Sequence, residues 1–297
     1  MILFSLSTYE YMARSFIKEG KVVSGTYSVE RFTNNEISIT LETSVEGQEC
    51  IALGGTTPTN DELFTLLLLT HTLKTYGAKK ITVITPYLSY ARQDNKGDSK
   101  SVAASWIGET LKASGVDEVI TIDVHSPEVV TLFAIPLISL SSVDIFAKEL
   151  AKVVEEDVTL VAPDEGAVPL AESFREKLGL TKEIAYFKKT RTQDAVILSD
   201  LHGEIEDRVI IIDDLLDTGG TLIESVKKLK EGGVDKISIV VVHGLFSGTQ
   251  WEELWSLGVK HIYTTDTISR TLSLSEERIT VLSIESLIAE YITTRGA

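Results

Sequence analysis

The run VIIIDDLLDTGGTLIESVKKL, Val209 to Leu229, decides how this chain folds. Val209, Ile210, Ile211 and Ile212 are consecutive β-branched apolar residues, the pattern of a strand buried on both faces. Acids and glycines follow at once, and then Leu222, Ile223, Val226 and Leu229 recur at helical spacing. Strand, tight polar loop and helix in that order are one repeat of a parallel α/β fold. The same punctuation recurs on either side. CIALGG (50–55), ITVITPY (81–87), VITIDVH (119–125), VTLVAPD (158–164) and ISIVVVHG (237–244) are short β-rich runs separated by helical stretches such as DELFTLLLLTHTLKTYG. The alternation predicts mainly parallel sheets covered by helices on both faces. Several of these runs close on a residue able to do chemistry: Tyr87, His125, Asp164, Asp213 and His243. Open α/β sheets bind ligands outside the carboxyl ends of their strands, so the chemistry is expected there.

A chain of 297 residues suits two domains of ordinary size. Ser141 to Asp157 reads as a helix and connector, so the domains are expected at 1–142 and 143–297, both α/β and of similar build, without a residue-level repeat. The last segment, SIESLIAEYITTRGA, has helical apolar spacing and is expected to pack on the second sheet. A net charge of −16 opposes binding to a phosphate backbone, so no nucleic-acid partner is expected unless a local basic patch overrides the average. No apolar run approaches the roughly 18 residues of a membrane span, and the N-terminus lacks the basic start of a signal peptide. A cytoplasmic protein is expected. Cys50 is the single cysteine, so no intrachain disulfide forms, and its place in CIAL predicts an inert buried thiol.

The loop Asp213 to Thr221 carries the clearest chemistry. Gly219 and Gly220 permit close backbone approach, and the amides opening the next helix point toward an anion. Thr218 and Thr221 add hydroxyl donors, while Asp213, Asp214 and Asp217 can accept from vicinal sugar hydroxyls or meet a metal ion. A phosphorylated ribose would use all of these groups. The plainer alternative, a helix junction capped by Asp217 or Thr218, leaves the adjacent acids unexplained. A P-loop is excluded because its lysine is missing. Elsewhere, His125 alone is an ordinary core histidine; together with Asp164 it forms a nitrogen and oxygen pair suited to Mg2+ bridging nucleotide phosphates. Lys189 and Arg191, in FKKTR, read equally as a solvated charge run or as cations for a transferred phosphate. Arg92 suits bidentate phosphate contact, with Gln93 and Asp94 beside it.

These segments in this order resemble the ribose-phosphate pyrophosphokinases, also called phosphoribosyl-diphosphate synthetases. DDLLDTGGT is similar to the phosphoribosyl-diphosphate signature of the type I phosphoribosyltransferase fold. PYLSYARQDNKGDSK (86–100) resembles the family's PYxxYxRQDRK, DVHS (123–126) its D-L-H, and APDEGAV its P-D-x-G-G-V; VVHGLFSG and TTDTI resemble later segments. The similarity runs from about Phe4 to Tyr291. It implies two phosphoribosyltransferase-like domains, the first on the nucleotide side and the second on the ribose 5-phosphate side. It further implies transfer of the diphosphoryl group of MgATP to the 1-hydroxyl of ribose 5-phosphate. By resemblance, His125 and Asp164 hold Mg2+, and Lys189 and Arg191 in a mobile loop act on the transferred phosphates together with His125. ATP meets Arg92, Gln93 and Asp94, and Phe32, Asn34 and Glu36 of ERFTNNE reach the adenine from a neighbouring subunit. Ribose 5-phosphate occupies Asp213 to Thr221. A homo-oligomer, dimer or higher, follows from the shared adenine contact.

The departures concern regulation. Where the family has S-V-R-G, this chain has Ser44-Val45-Glu46-Gly47; Lys100 stands where an arginine is usual; PDEGAVPLA lacks another arginine; and the chain ends at TTRGA without the family's regulatory tail. Activation by phosphate and allosteric inhibition by ADP are therefore not expected. Two rival readings are a non-catalytic regulatory paralogue, opposed by the retained His125, Asp164, Lys189 and Arg191, and a phosphoribosyltransferase, opposed by the nucleotide half.

Overall fold

The structure, a computed structural model, describes residues 1–56, 60–94, 101–154, 157–191, 196–274 and 276–295. The chain divides into two compact units, one of Met1–Ser141 with the segment from Glu285 onward, the other Ser142–Ile284. No described helix is long and apolar enough to cross a membrane.

The first unit is built on a six-stranded parallel sheet of β1 (Ile2–Ser5), β2 (Val23–Ser24), β5 (Glu49–Leu53), β6 (Lys80–Ile84), β7 (Glu118–Ile122) and β8 (Leu137–Leu140), in the order β2-β1-β5-β6-β7-β8. Strands β3 (Tyr27–Arg31) and β4 (Ile37–Leu41) form a separate antiparallel hairpin. Helices α1 (Glu10–Lys18), α2 (Asn60–Thr75), α3 (Ala103–Ala113) and α4 (Pro127–Leu132) supply crossovers. Every residue of β7 is buried, as a central strand with both faces covered requires. Cys50 lies on β5 at 2% exposure, and burial pushes its thiol up to about 11, so it stays protonated at neutral pH.

The second unit has a seven-stranded sheet of β9 (Val158–Ala162), β10 (Ala185–Arg191), β11 (Val196–His202), β12 (Arg208–Leu216), β13 (Lys236–Gly244), β14 (Val259–Thr265) and β15 (Ile279–Leu282), in the order β11-β10-β9-β12-β13-β14-β15. All neighbours are parallel except β11, which pairs antiparallel with β10. Helices α5 (Val143–Leu150), α6 (Val168–Leu178), α7 (Gly220–Glu231) and α8 (Glu253–Ser256) belong to this unit. The fold class is the expected one.

Helix α9 (Glu285–Arg295) corrects one expectation: it belongs to the first unit and packs on α1 rather than on the second sheet. Its apolar spacing specifies which face is buried, Ile288, Ala289 and Ile292, but not against what. Helix α1, which α9 contacts, buries Met12, Ala13 and Phe16. Truncating Ile288 should therefore open a cavity in the first unit. Ile288→Ala is expected to cost about 2–4 kcal/mol in urea unfolding, whereas Glu290→Ala on the exposed face should change stability by less than about 0.5 kcal/mol.

Candidate functional site

In the second unit the site is assembled at the carboxyl ends of the neighbouring strands β9 and β12. Strand β12 runs through Asp213 and Asp214 and ends at Leu216, three residues later than the apolar run suggested. Leu245 N and Phe246 N both donate to Leu216 O, and Ser247 N donates to Asp217 O, so the loop is strapped to the end of β13. Gly219 is needed twice over. Its φ of +89° is left-handed, and a Cβ there would lie 2.9 Å from the Trp251 Cα. Its obligate character thus comes from packing, whereas Gly220, the first residue of α7, has nothing within 4 Å of a built Cβ. Open space at the start of a twelve-residue helix leaves amides available to an anion. Gly219 occupies the N-cap position without a side-chain cap, so neither Asp217 nor Thr218 serves as the cap of the plainer reading. Thr218 is exposed and Thr221 half-buried.

The acids are held tightly against their own charge. Asp213 Oδ1 accepts from Asp214 N at 2.9 Å, and Asp164 Oδ1 accepts from Gly166 N (3.0 Å) and Ala167 N (3.2 Å), capping the short 3-10 turn Glu165–Ala167. Burial, then the charges of Asp214 and Asp164, raise the Asp213 carboxyl well above the usual carboxylate range. Among the described residues no three His, Cys, Asp or Glu side chains form a ready-made metal cage. That geometry still suits Mg2+, which commonly takes one or two carboxylates and completes its shell with water and substrate phosphates.

Lys189 and Arg191 lie on β10, where Lys189 pairs with Leu198 and Arg191 with Val196 of β11. The expected catalytic loop is therefore, at these two positions, strand backbone; the residues between the two strands, 192–195, lie outside the described ones. The β-branched and apolar run Val196-Ile197-Leu198 explains the pairing. His243 also departs from the strand-end expectation. It is 3% exposed and its Nδ1 sits 2.9 Å from Thr267 Oγ1, a core histidine satisfied by a hydroxyl.

The first unit presents a second loop beyond β6. Thr56, fully buried, donates from Oγ1 to Tyr87 O at 3.1 Å and accepts from Ser89 N at 2.7 Å. Tyr90 adopts a left-handed φ of 67°, its hydroxyl donates to Asn60 Oδ1 at 2.5 Å, and its ring meets Trp106 edge-on. Gln93 N donates to Tyr90 O, Gln93 O accepts from Ala104 N of α3, and Gln93 Oε1 accepts from Ser101 Oγ. The loop thus delivers Arg92 and Gln93 exposed and Asp94 half-buried. His125 follows β7 by three residues and is exposed. At the hairpin tip Phe32 is 47% exposed, Asn34 Oδ1 accepts from Glu36 N, and Arg31 reaches both Asn35 O and Asp61. Residues 95–100, with Lys100, lie outside the described ones.

Comparison with known proteins decides the family. Residues 1–115 match the N-terminal domain of ribose phosphate pyrophosphokinase, and residues 131–272 match the phosphoribosyl transferase domain. The chain is 32% identical to the ribose-phosphate pyrophosphokinase of Bacillus caldolyticus over 98% of its own length and 93% of the relative's. The chain belongs to the ribose-phosphate pyrophosphokinase family. It is accordingly an enzyme. The Thermotoga maritima member is also 32% identical, across 90% of this chain and 86% of that one. The crystal structure of phosphoribosylpyrophosphate synthetase from Mycobacterium smegmatis superposes with a TM-score of 0.90 at 29% identity, covering 99% of this chain and 98% of that one.

For this family member the crowding of acids has a measurable cost. Asp213 carries a raised folded pKa, so the folded state holds its proton over a higher pH range than the unfolded state does. The repulsion penalises the fold above that folded pKa and disappears as pH falls through it. Asp213→Asn keeps the Oδ1 acceptor and removes the charge. It should raise the melting temperature of the ligand-free protein by a few degrees at neutral pH, with the gain shrinking on acidification.

Proposed function

We propose that the chain transfers the β,γ-diphosphoryl group of MgATP to the 1-hydroxyl of ribose 5-phosphate, giving 5-phosphoribosyl 1-diphosphate and AMP. The observation that carries this reading is the open start of α7 directly after the carboxylates of β12. It suits a phosphate at one end and sugar hydroxyls at the other. The amides of α7 with Thr218 and Thr221 take the 5-phosphate, and Asp213, Asp214 and Asp217 accept from the ribose hydroxyls. Arg92 and Gln93 contact the nucleotide with Asp94. His125 and Asp164 are the candidate Mg2+ ligands, and the ion would neutralise charge on the phosphates. The sugar O1 forms a bond to the β-phosphorus as the bond from that phosphorus to the bridging oxygen breaks. AMP leaves with the α,β-bridging oxygen, and the hydroxyl proton passes to water. Lys189 and Arg191 act on the charge that develops on the transferred group.

The exposed Phe32 on its hairpin supports contact with the nucleotide of a neighbouring subunit, and hence a homo-oligomer, dimer or higher. A single buried cysteine is in keeping with a reducing cytoplasm. The deciding assay follows AMP from purified protein with MgATP and ribose 5-phosphate. AMP should form strictly in the presence of the sugar phosphate; its absence, or AMP released without the sugar, rejects the reading. Lys189→Ala and Arg191→Ala should each lower kcat by about 10²-fold or more with small changes in either KM. A raised KM at unchanged kcat would make them binding residues instead.

The regulatory departure also has a place in the structure. Glu46 is exposed, and its carboxylate lies over Gly77, where a Cβ would collide with it. Gly47 N donates to Gly77 O at 2.8 Å, so this carboxylate sits on a fixed turn. An effector anion there would meet a negative charge where an arginine would have attracted it. Inorganic phosphate at low millimolar concentration should leave the initial rate unchanged, and ADP should inhibit by competition with ATP alone. ADP inhibition that persists at saturating ATP would reveal a separate effector site.

A further inference from the structure

Ser126 stands at the entrance of α4 and forgoes the usual task of a serine there. Its backbone is extended, φ −150° and ψ 154°, as the following Pro127 demands. A serine at such a position ordinarily accepts from an amide of its own helix, yet Ser126 makes no side-chain cap bond. Its hydroxyl instead donates to Asp94 Oδ2 at 2.6 Å, across 32 residues of sequence. The distance is that of a charge-assisted bond.

Both sides of this tie are fixed. On the serine side, Ile122 N donates to Pro86 O (3.3 Å), Asp123 N to Leu140 O (2.9 Å) and Val124 N to Ser139 Oγ (2.9 Å), so the backbone leading to Ser126 is anchored to β8 and to the β6 loop. Asp123 takes a left-handed φ of 32°, which turns the chain sharply after β7. On the aspartate side, Gln93 is pinned by Tyr90, Ser101 and Ala104. A hydroxyl on a hydrogen-bonded platform therefore meets a carboxylate that follows a hydrogen-bonded loop.

We propose that Ser126 is a positioning residue for the nucleotide: by occupying Oδ2 of Asp94 it orients that carboxylate so that its remaining lone pairs meet a donor of the adenosine moiety. This rests on the reading of Arg92, Gln93 and Asp94 as nucleotide contacts. A neutral hydroxyl suits the task, because it fixes direction and leaves the negative charge intact.

The test compares wild type, Ser126→Ala, Ser126→Thr, Asp94→Ala and the double variant Ser126→Ala/Asp94→Ala by AMP formation, by calorimetric affinity for a non-hydrolysable ATP analogue with Mg2+, and by melting temperature. Ser126→Ala should raise KM for MgATP and the analogue's Kd by about 3- to 10-fold, leaving KM for ribose 5-phosphate and the melting temperature unchanged. Ser126→Thr, which keeps the hydroxyl on a side chain suited to extended backbone, should restore both. In the Asp94→Ala background Ser126→Ala should add nothing. An unchanged KM for MgATP in Ser126→Ala overturns the inference while leaving the synthetase reading standing. A parallel rise in both KM values with a lower melting temperature also overturns it, by showing a merely structural role. Wild type that binds the analogue but forms no AMP rejects the synthetase reading alone, since the analogue still reports on Ser126.

Discussion

A parallel strand buried on both faces has no freedom about where it ends. Its hydrogen bonds to both neighbours fix its register, and its helices fix its depth, so the residues just beyond its last paired position are delivered to one edge of the sheet. In the second unit this constraint sets Asp164 beyond β9 beside Asp213 and Asp214 on β12, two strands that pair in parallel from Arg208 with Val158 to Ile211 with Val161. Three carboxylates meet because their strands are neighbours, and the apolar residues behind them hold them there. The loop to α7 then has to turn within a few residues. The left-handed Gly219, pressed against Trp251, is how that turn is made.

The consequence is stored repulsion. Burial, together with the charges of Asp214 and Asp164, raises the Asp213 carboxyl above the usual carboxylate range. Such a cluster opposes folding and favours any ligand that supplies protons to share or positive charge, so part of the fold's stability is exchanged for affinity. The core behind the site can bear this load: Val209, Ile211, Ile239 and Val241 are fully buried, as are Leu222, Ile223 and Val226 on the facing helix to within a few per cent.

Much of this was legible in the sequence for a single physical reason. Residues whose spacing reports burial on both faces, as in Val209 to Ile212, leave little choice of structure, and the α/β class and the strand–loop–helix at Asp213 follow directly. What escaped was whatever depends on a partner distant in sequence. The spacing of Ile288, Ala289 and Ile292 was plain, but no local signal names α1 as their cover. His243 ends a strand as Asp164 nearly does; that it is a core residue depends on Thr267. The resemblance implies a mobile loop at Lys189 and Arg191, whereas their backbone pairs with an apolar partner strand that lies later in the sequence. Gly219 looked like a ligand glycine, and only Trp251 shows that packing requires it. Ser126 carries no local sign of its bond to Asp94, since a serine before proline reads as a helix cap.

One rule connects the two units without reference to how they are arranged. Asp94 is fixed by the Ser126 hydroxyl, Asp164 by the amides of Gly166 and Ala167, and Asp213 by the amide of Asp214. Each of these acids is oriented by a neutral donor. By contrast, ion pairs such as Arg14 with Glu10, Lys152 with Glu149 and Lys227 with Glu224 involve largely exposed side chains, where such pairs contribute little. The distinction has a physical basis. A cationic partner would orient a carboxylate equally well, but it would also cancel the charge that a ligand hydroxyl, amine or metal ion must find. Hydroxyls and amides supply direction while leaving the charge to be met by the ligand.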